Sequence, residues 1–201
     1  MMKPTAQDIA FYKALIFFNS LIPLAIILWD AAHGQVGVNP VEVFIRTFGV
    51  LTLLFVLITL CVTPLRKLLG WGFLIKYRRM LGLFAFFYGC LHLLTYIAFD
   101  RSWGFSSVVA DVVKRPFIAV GMASFVLLIP LALTSTNKMM RRLGAKRWLA
   151  LHKLVYAVAI GGVVHFWMIV KADVTWPLTF AVVAALLLGY RLLVWWRKRL
   201  A

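Results

Sequence analysis

Six apolar runs alternate along the chain with short polar stretches, at about 14–29, 45–62, 81–99, 117–133, 148–170 and 177–195. Each is near the roughly 20 residues that a helix needs to cross the hydrocarbon of a bilayer. The pattern predicts an all-α membrane protein, a six-transmembrane-helix bundle forming one domain over residues 1–201. The basic start with its apolar run is read as a retained first helix rather than a signal peptide. Residues 30–44 form a loop with Gly34, Gly37 and Pro40. Pro64, which cannot continue a regular helix, is expected to stop the second span. The stretches 64–80, 100–116 and 134–147 read as polar connections, and 171–176 as a tight one.

Composition supports the membrane reading. The chain is 64% hydrophobic and 14% charged, against roughly 45–50% and about 25% in soluble domains. A net charge of +16 would suggest nucleic acid in a soluble protein. Here the distribution points to topology and a lipid bilayer as partner, with no nucleic acid. The 64–80 and 134–147 stretches and the C-terminus carry Lys and Arg without any acid, whereas Asp30, Glu42, Asp100, Asp111 and Asp173 fall on the other side. Short cytoplasmic loops hold the basic excess, so both termini are expected in the cytoplasm. Cys61 and Cys90 lie inside apolar runs and in no metal-spaced set, and they read as buried thiols rather than a bridge.

The chemistry sits in the third and fifth runs, which hold His92 and the pair His152 and His165. An imidazole in hydrocarbon is costly, so an intramembrane histidine is a functional candidate by default. The 13 residues between His152 and His165 span roughly 20 Å of straight helix and about 140° around it. One is therefore near each membrane face, and tilt or unwinding at Gly161 and Gly162 is needed to turn both one way. Counted from the basic ends, His92 and His165 fall in the outer half and His152 near the cytoplasmic face. A neutral imidazole offers a lone pair to iron and an N–H to a supporting acceptor, so two such helices can supply both axial ligands of a b-type haem. No CxxCH motif occurs, so any haem is held non-covalently.

Other readings compete. His33 in its polar loop reads as solvated, and His152 also suits an interfacial anchor. A small histidine-dependent proton-coupled transporter or channel is the alternative from another class, with Pro23, Pro130, Gly161 and Gly162 interrupting spans. It lacks a membrane-buried Asp or Glu for ion coupling. A cofactor-free scaffold leaves three membrane histidines without a purpose. The strings LHLLTY at 91–96 and LHKLVY at 151–156 share L-H-x-L-x-Y. That spacing puts His and Tyr on one helical face and suggests a shared use.

Together, RRMLGL at 78–83, LHLLTY at 91–96, LTS at 133–135, LG at 143–144 with Trp148, LH at 151–152 and HF at 165–166 carry a resemblance. The chain resembles the ferric-reductase-like transmembrane family over about 11–199, and within it the haem-binding membrane subunits of methionine sulfoxide reductase systems. The resemblance implies a b-type cytochrome of the bacterial inner membrane. It would pass electrons from the quinone pool or a cytosolic flavin reductase, with FMN as a further cofactor. The acceptor would be a periplasmic molybdenum-containing methionine sulfoxide reductase that repairs oxidised periplasmic proteins. The catalytic site for sulfoxide reduction is then expected on that partner, and none on this chain.

Carried over, His92 and His165 match the ligand pair of the outer haem, and His152 an inner-side ligand. Arg78, Arg79, Arg141 and Arg142 become candidates for a haem propionate or flavin phosphate, beside their ordinary role as positive-inside charges. Trp148 and Tyr156 become candidates for the inner cofactor's edge, beside an aromatic belt. In one respect the chain departs from the wider family. Oxidases and reductases there carry a second histidine fourteen positions before His92, where this chain has Arg78. Arginine does not ligate iron, so one haem is supported and a second has only His152. The oxidases also append a flavin- and nicotinamide-binding domain that a chain of this length has no room for, which implies a separate electron donor.

Overall fold

A computed structural model describes residues 4–200, which are almost entirely helical, with no strand among them. Helix α1 (Ala6–Ala32) starts at a reciprocal cap in which Thr5 accepts from the Asp8 amide and Asp8 accepts from the Thr5 amide. Helix α2 (Pro40–Leu68) is capped by Asn39, with Pro40 in its first turn. A single 3₁₀ turn (Gly72–Lys76) leads to α3 (Arg78–Thr95), which ends in a widened π turn (Tyr96–Asp100). Then follow α4 (Phe105–Lys114), α5 (Pro116–Leu133), α6 (Asn137–Leu151), α7 (Leu154–Ile169) and α8 (Thr175–Leu200).

Five helices are long and apolar enough to cross a membrane by themselves, and α6 with α7 makes a sixth span bent by 43°. The lipid-facing character is visible on α1 and α8. Phe18, Ile26 and Trp29 on the first, and Leu186, Leu192 and Trp196 on the last, are each more than half exposed. With lipid as apolar as the core, helices are held by close packing and hydrogen bonds rather than by exclusion of water. The two extensively packed pairs are α2 with α3 and α5 with α7. In the first, Phe55 stacks on both Phe84 and Tyr88, and the fully buried Tyr88 donates its hydroxyl to the Ser20 carbonyl of α1. Between the pairs, a side-chain carbon on Gly89 would stand 3.4 Å from Phe125, and one on Gly162 3.1 Å from Leu53. Glycine is what lets these helices approach.

Four expectations need correction, the first being the 134–147 connection, most of which is helix α6 (Asn137–Leu151). Pro64 does not end the second helix, which runs on to Leu68. Proline removes the amide that would bond the carbonyl four residues back, here that of Leu60. Arg191 of α8 donates to that freed carbonyl instead, which is how a membrane helix tolerates proline. The 100–116 stretch is not simply a loop, because α4 lies within it. Its Asp111 is buried, accepting from the Tyr96 hydroxyl (2.7 Å) and pairing with Arg101 (2.8 Å) and Arg115 (3.3 Å). Finally, 148–170 is not one continuous span. It breaks at His152 and Lys153, between α6 and α7, whereas Gly161 and Gly162 lie inside regular α7. Gly144, at φ 74°, adds a second kink within α6. Neither Cys61 nor Cys90 is bridged.

Candidate functional site

His92 lies near the C-terminal end of α3 and His165 near that of α7. They come from different helix pairs, yet their ring centroids are 6.1 Å apart, with the ring planes at 86°. Each ring is held by the helix it packs against. Nδ1 of His92 donates to the carbonyl of Ile45 on α2 (2.8 Å), and Nδ1 of His165 to that of Phe117 on α5 (2.6 Å). A carbonyl only accepts, so in the neutral ring Nδ1 carries the proton and Nε2 keeps the lone pair. Four residues beyond each carbonyl is a glycine under the ring. A side-chain carbon on Gly49 would stand 3.0 Å from the His92 ring, and one on Gly121 2.7 Å from the His165 ring. Both helices must present bare backbone for the imidazoles to reach their carbonyls.

The donor set fits haem iron. Two metal–imidazole bonds of about 2 Å, with the two ring radii, sum to about 6 Å, close to the spacing found. Hydrogen bonding at the other ring nitrogen fixes tautomer and orientation and raises ligand basicity. Ile45, Gly49, Phe117 and Gly121 escaped the sequence reading, because a glycine in an apolar run looks like any other small residue. A signal existed in the spacing. Gly49 and Gly121 precede their histidines by 43 and 44 residues.

His152 stands apart from this pair, at the α6–α7 break. The Thr134 hydroxyl donates to the Pro130 carbonyl (2.6 Å), which leaves its oxygen to accept from Nε2 of His152 (3.1 Å). Trp148 stacks on the His152 ring with centroids 3.9 Å apart and donates Nε1–H to the Thr134 carbonyl (2.9 Å). Both line a cavity of about 360 Å³ together with Arg78, Arg79, Gly82 and Ala85. Arg78 also borders a neighbouring cleft of about 340 Å³, where Tyr156 lies under Arg191. Arg141 and Arg142 are exposed on α6 and line neither space. The shared L-H-x-L-x-Y string does not translate into shared geometry. His92 and Tyr96 follow α3 into its π turn, where Tyr96 meets Asp111, whereas His152 precedes the start of α7.

Residues 47–163 match the model of the family described as "Ferric reductase like transmembrane component", a stretch that includes Gly49, His92, Gly121 and His152 and stops two residues short of His165. The chain belongs to the ferric-reductase-like transmembrane family. Within it, the chain groups with proteins named "Protein-methionine-sulfoxide reductase heme-binding subunit MsrQ". It is 50% identical to the one from Rhodospirillum rubrum, over 93% of this chain and 90% of that protein. Identity to the one from Azospira oryzae is 48%, over 94% and 82% respectively, and to the one from Herminiimonas arsenicoxydans 46%, over 98% and 91%. Family membership and site geometry thus meet on a protein in which two membrane histidines, His92 and His165, face each other across helix pairs.

Proposed function

We propose that the chain is the haem-binding membrane subunit of a methionine sulfoxide reductase system, a b-type cytochrome that relays electrons across the bacterial inner membrane. One observation carries the reading: two imidazoles from separate helix pairs, ring centroids 6.1 Å apart, each with Nδ1 committed to a carbonyl. Bound there, haem supplies a one-electron carrier whose potential the protein sets through ligands, burial and hydrogen bonds. His92 and His165 would hold its iron, each through the Nε2 lone pair left free. The Ile45 and Phe117 carbonyls hold the rings in register, and Gly49 and Gly121 leave them room.

The basic segments 64–80 and 134–147 and the C-terminus face the cytoplasm under the positive-inside rule. The His92–His165 end is then the periplasmic one, where electrons leave for a molybdenum-containing sulfoxide reductase acting on oxidised envelope proteins. The inner cavity with Arg78, Arg79, Trp148 and His152 is the place where electrons arrive, from quinol or from a flavin (FMN) supplied by a reductase. With Nε2–H given to Thr134, His152 serves as a wall of this cavity. A second haem on His152 requires Nδ1 as ligand or release of Thr134.

The test is a reduced-minus-oxidised spectrum of the detergent-purified, haem-replete protein, with a pyridine haemochrome assay. A b-type α-band, lost in His92→Ala and in His165→Ala and kept at unchanged stoichiometry in His152→Ala, is expected. A colourless wild-type protein would overturn the cytochrome and favour a histidine-dependent transporter.

A further inference from the structure

The cleft beside the inner cavity shares Arg78 with it, and its other cations are ones that the electron-transfer reading does not use. It is walled by the ends of α2 and α8 and the starts of α3 and α7, and Lys67, Arg78, Arg191 and Lys198 all border it. Tyr156, Tyr190 and Trp195 complete the wall. Of the chain's six acids, none lines the cleft. Four cations gathered without a carboxylate repel one another unless an anion comes from outside.

Arg191 is tied to backbone. Its guanidinium lies over the Tyr156 ring at 5.5 Å and gives one N–H to the Leu187 carbonyl and one to the Leu60 carbonyl that Pro64 leaves free. A guanidinium has five N–H donors in a rigid fork. Two of them anchor it to backbone, and three remain for an acceptor. Proline, arginine and tyrosine from three helices thus hold a fixed positive centre at the basic end of the bundle. Lys67 and Lys198, both exposed, add mobile ammonium groups at its rim, and Arg199 stacks on Trp195 at 4.0 Å.

We propose that this cleft seats a phosphate group, with the headgroup of an anionic membrane phospholipid as the source its position favours. Basic pockets between membrane helices on the positively charged side suit such headgroups. Trp and Tyr, as on its rim, favour headgroup depth, and exposed Leu186, Leu192 and Leu193 of α8 offer a path for acyl chains. A soluble phosphate has the same headgroup chemistry but no use for that apolar path. The site stands on residues other than the histidine pair and does not depend on haem.

The test is native mass spectrometry of the detergent-purified protein titrated with phosphatidylglycerol or phosphatidylcholine. It is run on the wild type and on Lys67→Gln/Lys198→Gln, whose exposed positions leave the fold and the haem spectrum unchanged. The wild type should retain phosphatidylglycerol over phosphatidylcholine by on the order of tenfold, and the double variant should lose most of that preference. Millimolar inorganic phosphate in competition separates the sources: an undisplaced lipid adduct assigns the site to phospholipid, and displacement assigns it to a soluble phosphate. Equal retention of the two lipids, or an unchanged preference in the double variant, would overturn the site.

Discussion

The two ends of the bundle use histidine in opposite ways. At the His92–His165 end, each ring spends Nδ1 on a backbone carbonyl and keeps Nε2 for a ligand, over a glycine that clears the space. At the basic end, His152 spends Nε2 on a threonine hydroxyl, stacks on Trp148 and sits at a helix break beside arginines and an open cavity. The first arrangement holds an imidazole rigid for a metal bond. The second shapes one wall of the inner cavity. A histidine in a membrane helix is defined less by its depth than by which ring nitrogen its neighbours have claimed.

That contrast can be broken by substitution, and the largest effect belongs to the ligands. His92→Ala or His165→Ala should reduce bound haem on purification to less than about a tenth, because each ring would supply one of only two bonds anchoring a macrocycle that is not covalently attached. Next comes the backing glycine. Gly121→Ala puts a methyl carbon 2.7 Å from the His165 ring and Gly49→Ala one 3.0 Å from that of His92. Both should shift the potential, Gly121→Ala by on the order of 50 mV, equivalent to about tenfold in relative ligand preference, and Gly49→Ala by less. A redox titration of the α-band reads both, and equal potentials in all three proteins would remove the glycines from the account.

Smaller effects mark the periphery. Asp111→Asn removes the carboxylate that ties α4 to Tyr96, Arg101 and Arg115. Breaking such a largely buried pair costs about 3 kcal/mol, so thermal unfolding in detergent should move down while the spectrum stays. His152→Ala loses one hydrogen bond, about 1 kcal/mol, and should leave haem stoichiometry unchanged. The smallest effect is expected at Arg141 and Arg142, which line neither cavity. Their replacement by Gln should leave haem content and potential as they are.

The spans were legible in the sequence because lipid demands long apolar runs, and the paired histidines because imidazole in hydrocarbon stands out. What was hidden depended on partners far along the chain. Pro64 reads as a stop until Arg191, 131 residues later, takes up the freed carbonyl. The break at His152 has apolar residues immediately on either side, 148–151 before it and 154–155 after, so nothing local marks it. Helix α4 reads as a polar loop because its buried Asp111 is paid for by arginines on both flanks. The true internal echo was also missed. L-H-x-L-x-Y relates residues 60 apart, whereas the structure relates Gly49 with His92 to Gly121 with His165, at offsets of 72 and 73. A pattern built across two helices leaves no contiguous string to find.

His92 and His165 would hold one haem iron between them, each through its free Nε2. Low-temperature electron paramagnetic resonance of the oxidised protein addresses it most directly. Two imidazoles with nearly perpendicular planes, 86° here, give a low-spin ferric signal of high anisotropy. That signal should be absent from both His92→Ala and His165→Ala and unaltered in His152→Ala. A high-spin signal in the wild type, or a low-spin signal that survives His165→Ala and vanishes in His152→Ala, would contradict the pairing.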